Sequence, residues 1–236
     1  MFDLDGVLTH TAQAHAAAWK EAFDGLLRER SDRTGEAFRP FELPDDYLTY
    51  VDGKLRLDGV RSFLASRDIV LPEGSDDDAP GTATVHGVGR QKNELLLGVL
   101  REGGVDVYDG SVHFVEAVRD AGLRRAVVSA SKNCQAVLQA AGIESLFETR
   151  VDGVVAAEKN LRGKPAPDMF LAAAAELGMK PGQCAVFEDA VAGVAAGHAG
   201  RFGFVVGVDR TDNADALRAA GADVVVGDLA ELLEAV

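Results

Sequence analysis

Asp3 and Asp5, separated only by Leu4 and followed by Gly6, open the chain in the run Met1-Phe2-Asp3-Leu4-Asp5-Gly6-Val7-Leu8-Thr9. Two carboxylates at this spacing suit a nucleophile beside a general acid and base, or a pair of ligands for a hard cation. If residues 2–4 end a strand, side chains alternate, so Asp3 faces one way and Leu4 turns into the core. Gly6 then allows a sharp turn directly after the second acid. In an open parallel sheet, the carboxyl ends of strands at a topological switch point are where ligands bind. The plainer reading of the same run is a strand end followed by a solvated acidic turn.

Three later segments place polar groups directly after apolar runs or in a constrained loop. Ser129 follows Ala126-Val127-Val128, and its hydroxyl with the next amides could hold phosphate oxygens at a helix amino end; an ordinary turn or cap serine is the alternative. Ser131 could cap that helix and leave Ser129 free. Lys164 lies in Gly163-Lys164-Pro165-Ala166-Pro167-Asp168, where the prolines define the loop and the lysine becomes a fixed point charge. The segment is not a Walker loop, because Glu158 occupies the position of the required first glycine. Glu188-Asp189 follows Ala185-Val186-Phe187; acids next to a buried run must be exposed, paired or bound to metal. Asp3, Asp5, Glu188 and Asp189 match the one or two protein carboxylates, with phosphate and water, that magnesium prefers. A surface lysine and a solvated acid pair are the plain readings of the last two.

The elements that must position these groups follow from periodicity. Residues 12–26 read as an alanine-rich helix, with His15 and Trp19 on one face. Residues 38–71 read as short helices, interrupted at Gly53-Lys54-Leu55-Arg56. Residues 72–89 read as a loop by their glycines, prolines and the acid run Asp76-Asp77-Asp78, and a helix resumes at Gln91. From Gly103 onward, helical patterns alternate with short β-rich runs: residues 125–129, 149–151, 184–189, 204–208 and 222–226. That alternation predicts an α/β fold, a doubly wound, Rossmann-like parallel sheet core with helices on both faces and right-handed crossovers. Asp3 joins that sheet only if a mostly helical cap is inserted after the first strand. The expected division is a core of residues 1–10 and 103–236 and a cap of residues 11–102.

The chain has 236 residues, 47% of them hydrophobic, enough for one large domain or a domain with a smaller insertion. Its net charge of −14 argues against nucleic acid and anionic membranes as partners. An anionic substrate would therefore need a metal, lysines or helix amino ends to invert the local field. Cys134 and Cys184 fit neither a metal-ligand spacing nor a disulfide framework, and Cys184 reads as a small buried hydrophobe. No apolar stretch is long enough to span a bilayer and the start lacks signal-peptide features, so a cytoplasmic, monomeric protein is expected.

Taken together, these motifs resemble the haloacid dehalogenase superfamily of phosphotransferases, over essentially the whole chain. The resemblance rests on Asp3-Leu4-Asp5-Gly6-Val7-Leu8-Thr9, Ser129, Lys164-Pro165 and Glu188-Asp189. It is strongest to the β-phosphoglucomutase branch, through Ser129-Ala130-Ser131-Lys132-Asn133, Thr11, His15, Trp19, Arg56 and Lys92-Asn93. It implies Asp3 as the nucleophile that becomes an aspartyl phosphate, and Asp5 as the general acid and base for a sugar oxygen. It implies Mg2+ held by Asp3, Asp189 and the Asp5 carbonyl, with Glu188 in or close to its shell. Ser129, Ala130 and Lys164 would hold the transferring phosphoryl group. Thr11, His15, Trp19, Arg56, Lys92, Ser131 and Asn133 would contact a sugar phosphate, with a closing cap excluding water. Residue by residue, His15 also reads as an ordinary exposed or core histidine, and Arg56 as a solvated helix residue.

Only Met1 and Phe2 precede Asp3, fewer than a central strand ordinarily has. A truncated start is the expectation, and a version with added upstream apolar residues should melt higher. The loop at residues 72–89 has no counterpart in the mutase cap and leaves the sugar open. Two other functions share the motifs. A phosphatase would use the same aspartate with water as acceptor. A signalling receiver domain also gathers acids, a hydroxyl and a lysine at strand ends, but the inserted helical unit argues against it.

Overall fold

The computed structural model of the protein describes residues 1–233. The chain divides into two compact units: Met1–Thr11, Gly53–Leu55 and Val105–Val236 form one, and Ala12–Asp52 with Arg56–Gly104 form the other.

The inserted unit is built from α1 (Ala12–Thr34), a single π-helical turn (Tyr47–Val51), α2 (Arg56–Ser66) and α3 (Val85–Gly103). Trp19, Phe23 and Leu27 recur every fourth residue of α1 and are buried, which gives α1 one apolar face. That face closes on Phe41, Val60, Phe63 and Val88. Phe63 is the centre, with ring centroids 4.2 Å from Phe23 and 4.9 Å from Phe41.

Helix α3 starts at Val85, six positions before the expected Gln91, and so shortens the expected loop. Thr84 sets the start, because its hydroxyl accepts from the Gly87 amide at 2.9 Å. Gly87 and Gly89 are packing glycines rather than loop residues: a Cβ on Gly87 would run into the Thr82 backbone, and one on Gly89 would crowd Leu57.

The other unit carries a parallel sheet: β1 (Ala126–Val128), β2 (Thr149–Val151), β3 (Ala185–Glu188), β4 (Phe204–Val208) and β5 (Val224–Val226), with α5 (Cys134–Ala140) between β1 and β2 and α6 (Gly153–Glu158) directly after β2. β1 pairs β2, while β3 pairs β4 and β4 pairs β5, all in parallel. Phe2 bridges both sets, pairing in parallel with Val127 and with Phe187. Its amide donates to the Ala126 carbonyl and its carbonyl accepts from Val128. The amino-terminal residues therefore lie in the middle of the sheet, between β1 and β3.

Alternation divides the two faces. Ala126, Val128 and Val186 belong to the cluster that contains Met169 and Phe170 of α7 (Asp168–Glu176) and Val194 of α8 (Val191–Ala199). Phe2 and Phe187 stack on the opposite face, ring centroids 4.5 Å apart, and Phe114 of α4 (Asp109–Asp120) meets both edge-on. Complete burial of an aromatic ring such as Phe2 contributes roughly 2 kcal/mol relative to exposure. This holds the residue before Asp3 in place.

Two further differences from expectation have local causes. Gly153–Glu158 forms a helix, because the Asp152 carboxylate accepts from the amides of Val154 and Val155 at 2.9 and 3.0 Å. Cys184 is only partly buried, being the residue that leaves the 3-10 turn Pro181–Gln183 ahead of β3.

Candidate active site

Phe2 and Phe187 are in parallel register, so the next residues, Asp3 and Glu188, lie side by side on the same face. That face is the one α7 covers, and Lys164 reaches them from the loop ahead of α7. Its ammonium is bonded to both the Asp3 and the Glu188 carboxylates, and it donates to the Val128 carbonyl at 3.2 Å. Lys164, Asp3 and Glu188 are all buried. Lys164 sits in the loop between Gly153–Glu158 and α7, the loop its flanking prolines define.

The charges do not cancel. Burial pushes the Glu188 pKa up to about 8, with Lys164 opposing and Asp3 adding to the rise. Burial also raises Asp3, again against Lys164, and Asp5 raises it further. Burial works against the Lys164 charge, but the two carboxylates outweigh it and hold its pKa above the ordinary lysine range. Asp3, Glu188 and Asp189 each offer one oxygen, all within 4.8 Å of one another. A hard divalent cation fits this set: oxygen donors only, Asp3 and Glu188 buried and Asp189 partly so, with three carboxyl groups against one ammonium. Two glycines make room. A Cβ at Gly6 would fall on the Asp189 carboxylate, and one at Gly193 on that of Glu188.

Asp5 is oriented by hydroxyls. Thr11 donates to its Oδ1, and the Ser129 hydroxyl stands 3.5 Å from its Oδ2. The Thr9 hydroxyl donates to that of Thr11 at 2.7 Å and lies 3.2 Å from the Leu4 carbonyl. Contrary to expectation, Ser129 is not free of turn duties, because it accepts from the Ser131 amide at 3.1 Å. Ser131 in turn accepts from the Asn133 amide at 3.1 Å, closing a turn two residues ahead of the helix N-cap, Asn133, rather than capping the helix itself. These serines hold the turn from Ser129 to Asn133, with Ala130 between them, beside the acids.

The remaining candidates lie in the inserted unit. Lys92 is buried, with its ammonium 3.1 Å from His15 Nδ1 and 5.1 Å from the Trp19 ring. Burial first, then the charges of Lys92 and Arg56, hold the His15 pKa well below its usual value. His15 is therefore neutral, with Nδ1 accepting and the proton on Nε2. Trp19 stacks on Phe23 at 5.0 Å and belongs to the apolar cluster of its unit. Its ring also underlies the Lys92 ammonium.

Residues 1–201 match the family model described as haloacid dehalogenase-like hydrolase. The chain belongs to that family. As a haloacid dehalogenase-like hydrolase it is 56% identical to proteins named β-phosphoglucomutase from Mycobacterium bovis and Mycobacterium tuberculosis, over 99% of this chain and 90% of theirs. It is also 28% identical to an Escherichia coli fructose-1-phosphate phosphatase, over 84% of this chain and 90% of that protein. Among solved structures, a β-phosphoglucomutase from Clostridium difficile superposes with a TM-score of 0.74 at 25% identity, covering 98% of this chain and 91% of that one. No helix among the described residues is long and apolar enough to cross a membrane. Sequence reasoning passed over one contributor to the site, Arg210, which donates to the Gly6 carbonyl at 2.9 Å. A single arginine after an apolar strand carries no spacing by which to find it.

Proposed function

We propose that this haloacid dehalogenase-like enzyme is a magnesium-dependent sugar-phosphate mutase of the β-phosphoglucomutase type, moving a phosphoryl group through a phosphoaspartate at Asp3. The observation that carries the reading is the convergence of Asp3, Lys164, Glu188 and Asp189 in one cluster, in a chain 56% identical to the mycobacterial β-phosphoglucomutases.

An Asp3 oxygen attacks phosphorus in line with the departing sugar oxygen. Lys164 balances charge on the equatorial oxygens, and Ser129 with the Ala130 amide positions them. Asp5 gives its proton to the departing oxygen, then accepts one from the incoming hydroxyl. Thr11 holds the Asp5 carboxyl in place for both steps. Asp3, Asp189 and the Asp5 carbonyl, with Glu188 adjacent, would hold Mg2+, which would supply charge neutralisation for the phosphoryl oxygens. Ser131 and Asn133 face the sugar. In the inserted unit, Lys92 and Arg56 beside neutral His15 form a basic group suited to a phosphate dianion. That group favours a substrate with a second phosphate, and so favours the mutase.

The test is a panel of sugar phosphates with Mg2+, comparing the native enzyme with Asp3→Asn. Conversion of β-glucose 1-phosphate to glucose 6-phosphate, lost in Asp3→Asn, is the expected result. Asp5→Asn should slow the first half-reaction. The second reading, favoured by the E. coli phosphatase relative, is a sugar-phosphate phosphatase; phosphate release without glucose 6-phosphate would decide for it.

A further inference from the structure

Arg210 stands in the loop between β4 and α9 (Ala214–Ala220), far along the chain from Asp3 and Asp5. Its Nε donates to the Gly6 carbonyl at 2.9 Å, while Nη1 donates to the Gly227 carbonyl at 2.7 Å and lies 3.4 Å from Asp228 Oδ2. Its guanidinium carbon lies 3.6 Å from the centroid of the Tyr108 ring, against which His10 also stacks. The loop that presents Arg210 is itself fixed. Asp209 accepts from the amides of Thr211 and Asn213, and its own amide donates to the Val226 carbonyl.

The other end of the bond matters as much. Gly6 follows Asp5 directly and has φ +88°. The loop it belongs to is closed by Gly6 N to Thr9 O, Leu8 N to Leu4 O and Thr9 N to Leu4 O. Those bonds lie within the loop. It is tied outward at Leu8, whose carbonyl accepts from the Tyr108 amide, and at its tip, where the Gly6 carbonyl accepts from Arg210. Just beyond the loop, the His10 amide donates to the Asp106 carbonyl. Arg210 thus meets the acid loop twice, once at its tip and once through Tyr108.

We propose that Arg210 is a positioning residue for phosphoryl transfer: by gripping the Gly6 carbonyl and the Tyr108 ring, it sets the placement of Asp3 and Asp5 relative to Asp189 without touching substrate. This rests on the reading of Asp3 as nucleophile and Asp5 as acid and base. A planar fork is required, because one lysine nitrogen cannot reach both the Gly6 and Gly227 carbonyls and lie flat on a ring.

The test uses the full-length enzyme, Arg210→Met and Arg210→Lys. Arg210→Met should lower kcat by about 100-fold while KM for the sugar phosphate stays within about threefold, as misplacement of catalytic groups predicts. Arg210→Lys should recover only a minor part. Arg210→Gly should regain activity with added methylguanidinium, which can re-form the bond to Gly6. Hydrogen exchange at the amides of Gly6, Leu8 and Thr9 should quicken in Arg210→Met, a reading that needs no turnover. Native enzyme and Asp3→Asn in the same assay test the proposed function separately. The inference is overturned if Arg210→Met leaves exchange in residues 4–9 unchanged. It is equally overturned if kcat survives within about twofold, or if kcat falls with KM rising in step and methylguanidinium restores nothing.

Discussion

Gly6 is held in a region of backbone space that residues with a Cβ rarely enter, and its missing side chain is the space the Asp189 carboxylate occupies. The two constraints act together. Gly6→Ala would impose roughly 1–3 kcal/mol of backbone strain and would also push Asp189 away from Asp3. The expected result is a lower melting temperature together with loss of about 100-fold or more in kcat/KM. Thermal denaturation and steady-state kinetics on the same preparation check it. A variant that melts lower but keeps its rate would separate strain from placement and show that Asp189 can shift at no cost to chemistry. The acids themselves were legible as letters: Asp3, Asp5, Glu188 and Asp189 sit beside apolar runs. Hydroxyl roles were less so, since Ser129 bonds both within its turn and towards Asp5, and such sharing depends on packing rather than spacing.

At the scale of elements, composition located the strands well because all are short and all but Thr149–Val151 are largely apolar runs. It failed where glycine misled. The start of α3 reads as loop by composition, yet Thr84 caps a helix whose Gly87 and Gly89 allow close packing. The helix Gly153–Glu158 was hidden for the converse reason, a valine pair after glycine that resembles a strand. In both, one capping side chain outweighed local propensity. Thr84→Ala should therefore destabilise the inserted unit by about 1 kcal/mol. Because Thr84 also bonds to Asp78, the loop before α3 should loosen with it. Urea denaturation gives the energy, and faster hydrogen exchange confined to residues 74–88 would locate it. A cost below about 0.3 kcal/mol would mean that the cap is dispensable.

At the scale of the whole molecule, the amino-terminal residues occupy the centre of a parallel sheet, so the site's electrostatics and the fold's stability share atoms. Glu188 is the clearest link. Burial raises its pKa from the ordinary carboxyl value to about 8. Between those limits the folded protein holds a proton that the unfolded chain has released, so stability falls as pH rises through the interval. Below the ordinary value both states are protonated, and the effect vanishes. A bound divalent cation prefers the ionised carboxylates and displaces that proton, so it should stabilise the protein more at high pH than at low pH. With chelator present, the melting temperature should decline from about pH 5.5 to pH 8, and excess Mg2+ should remove most of that decline. Glu188→Gln should flatten the chelator profile, because it removes the titrating group and leaves the Lys164 bond to Asp3. Differential scanning fluorimetry across pH, with and without Mg2+, measures all three. A Mg2+-induced shift of equal size at both ends of the range would mean that cation binding is not coupled to the buried carboxyl proton.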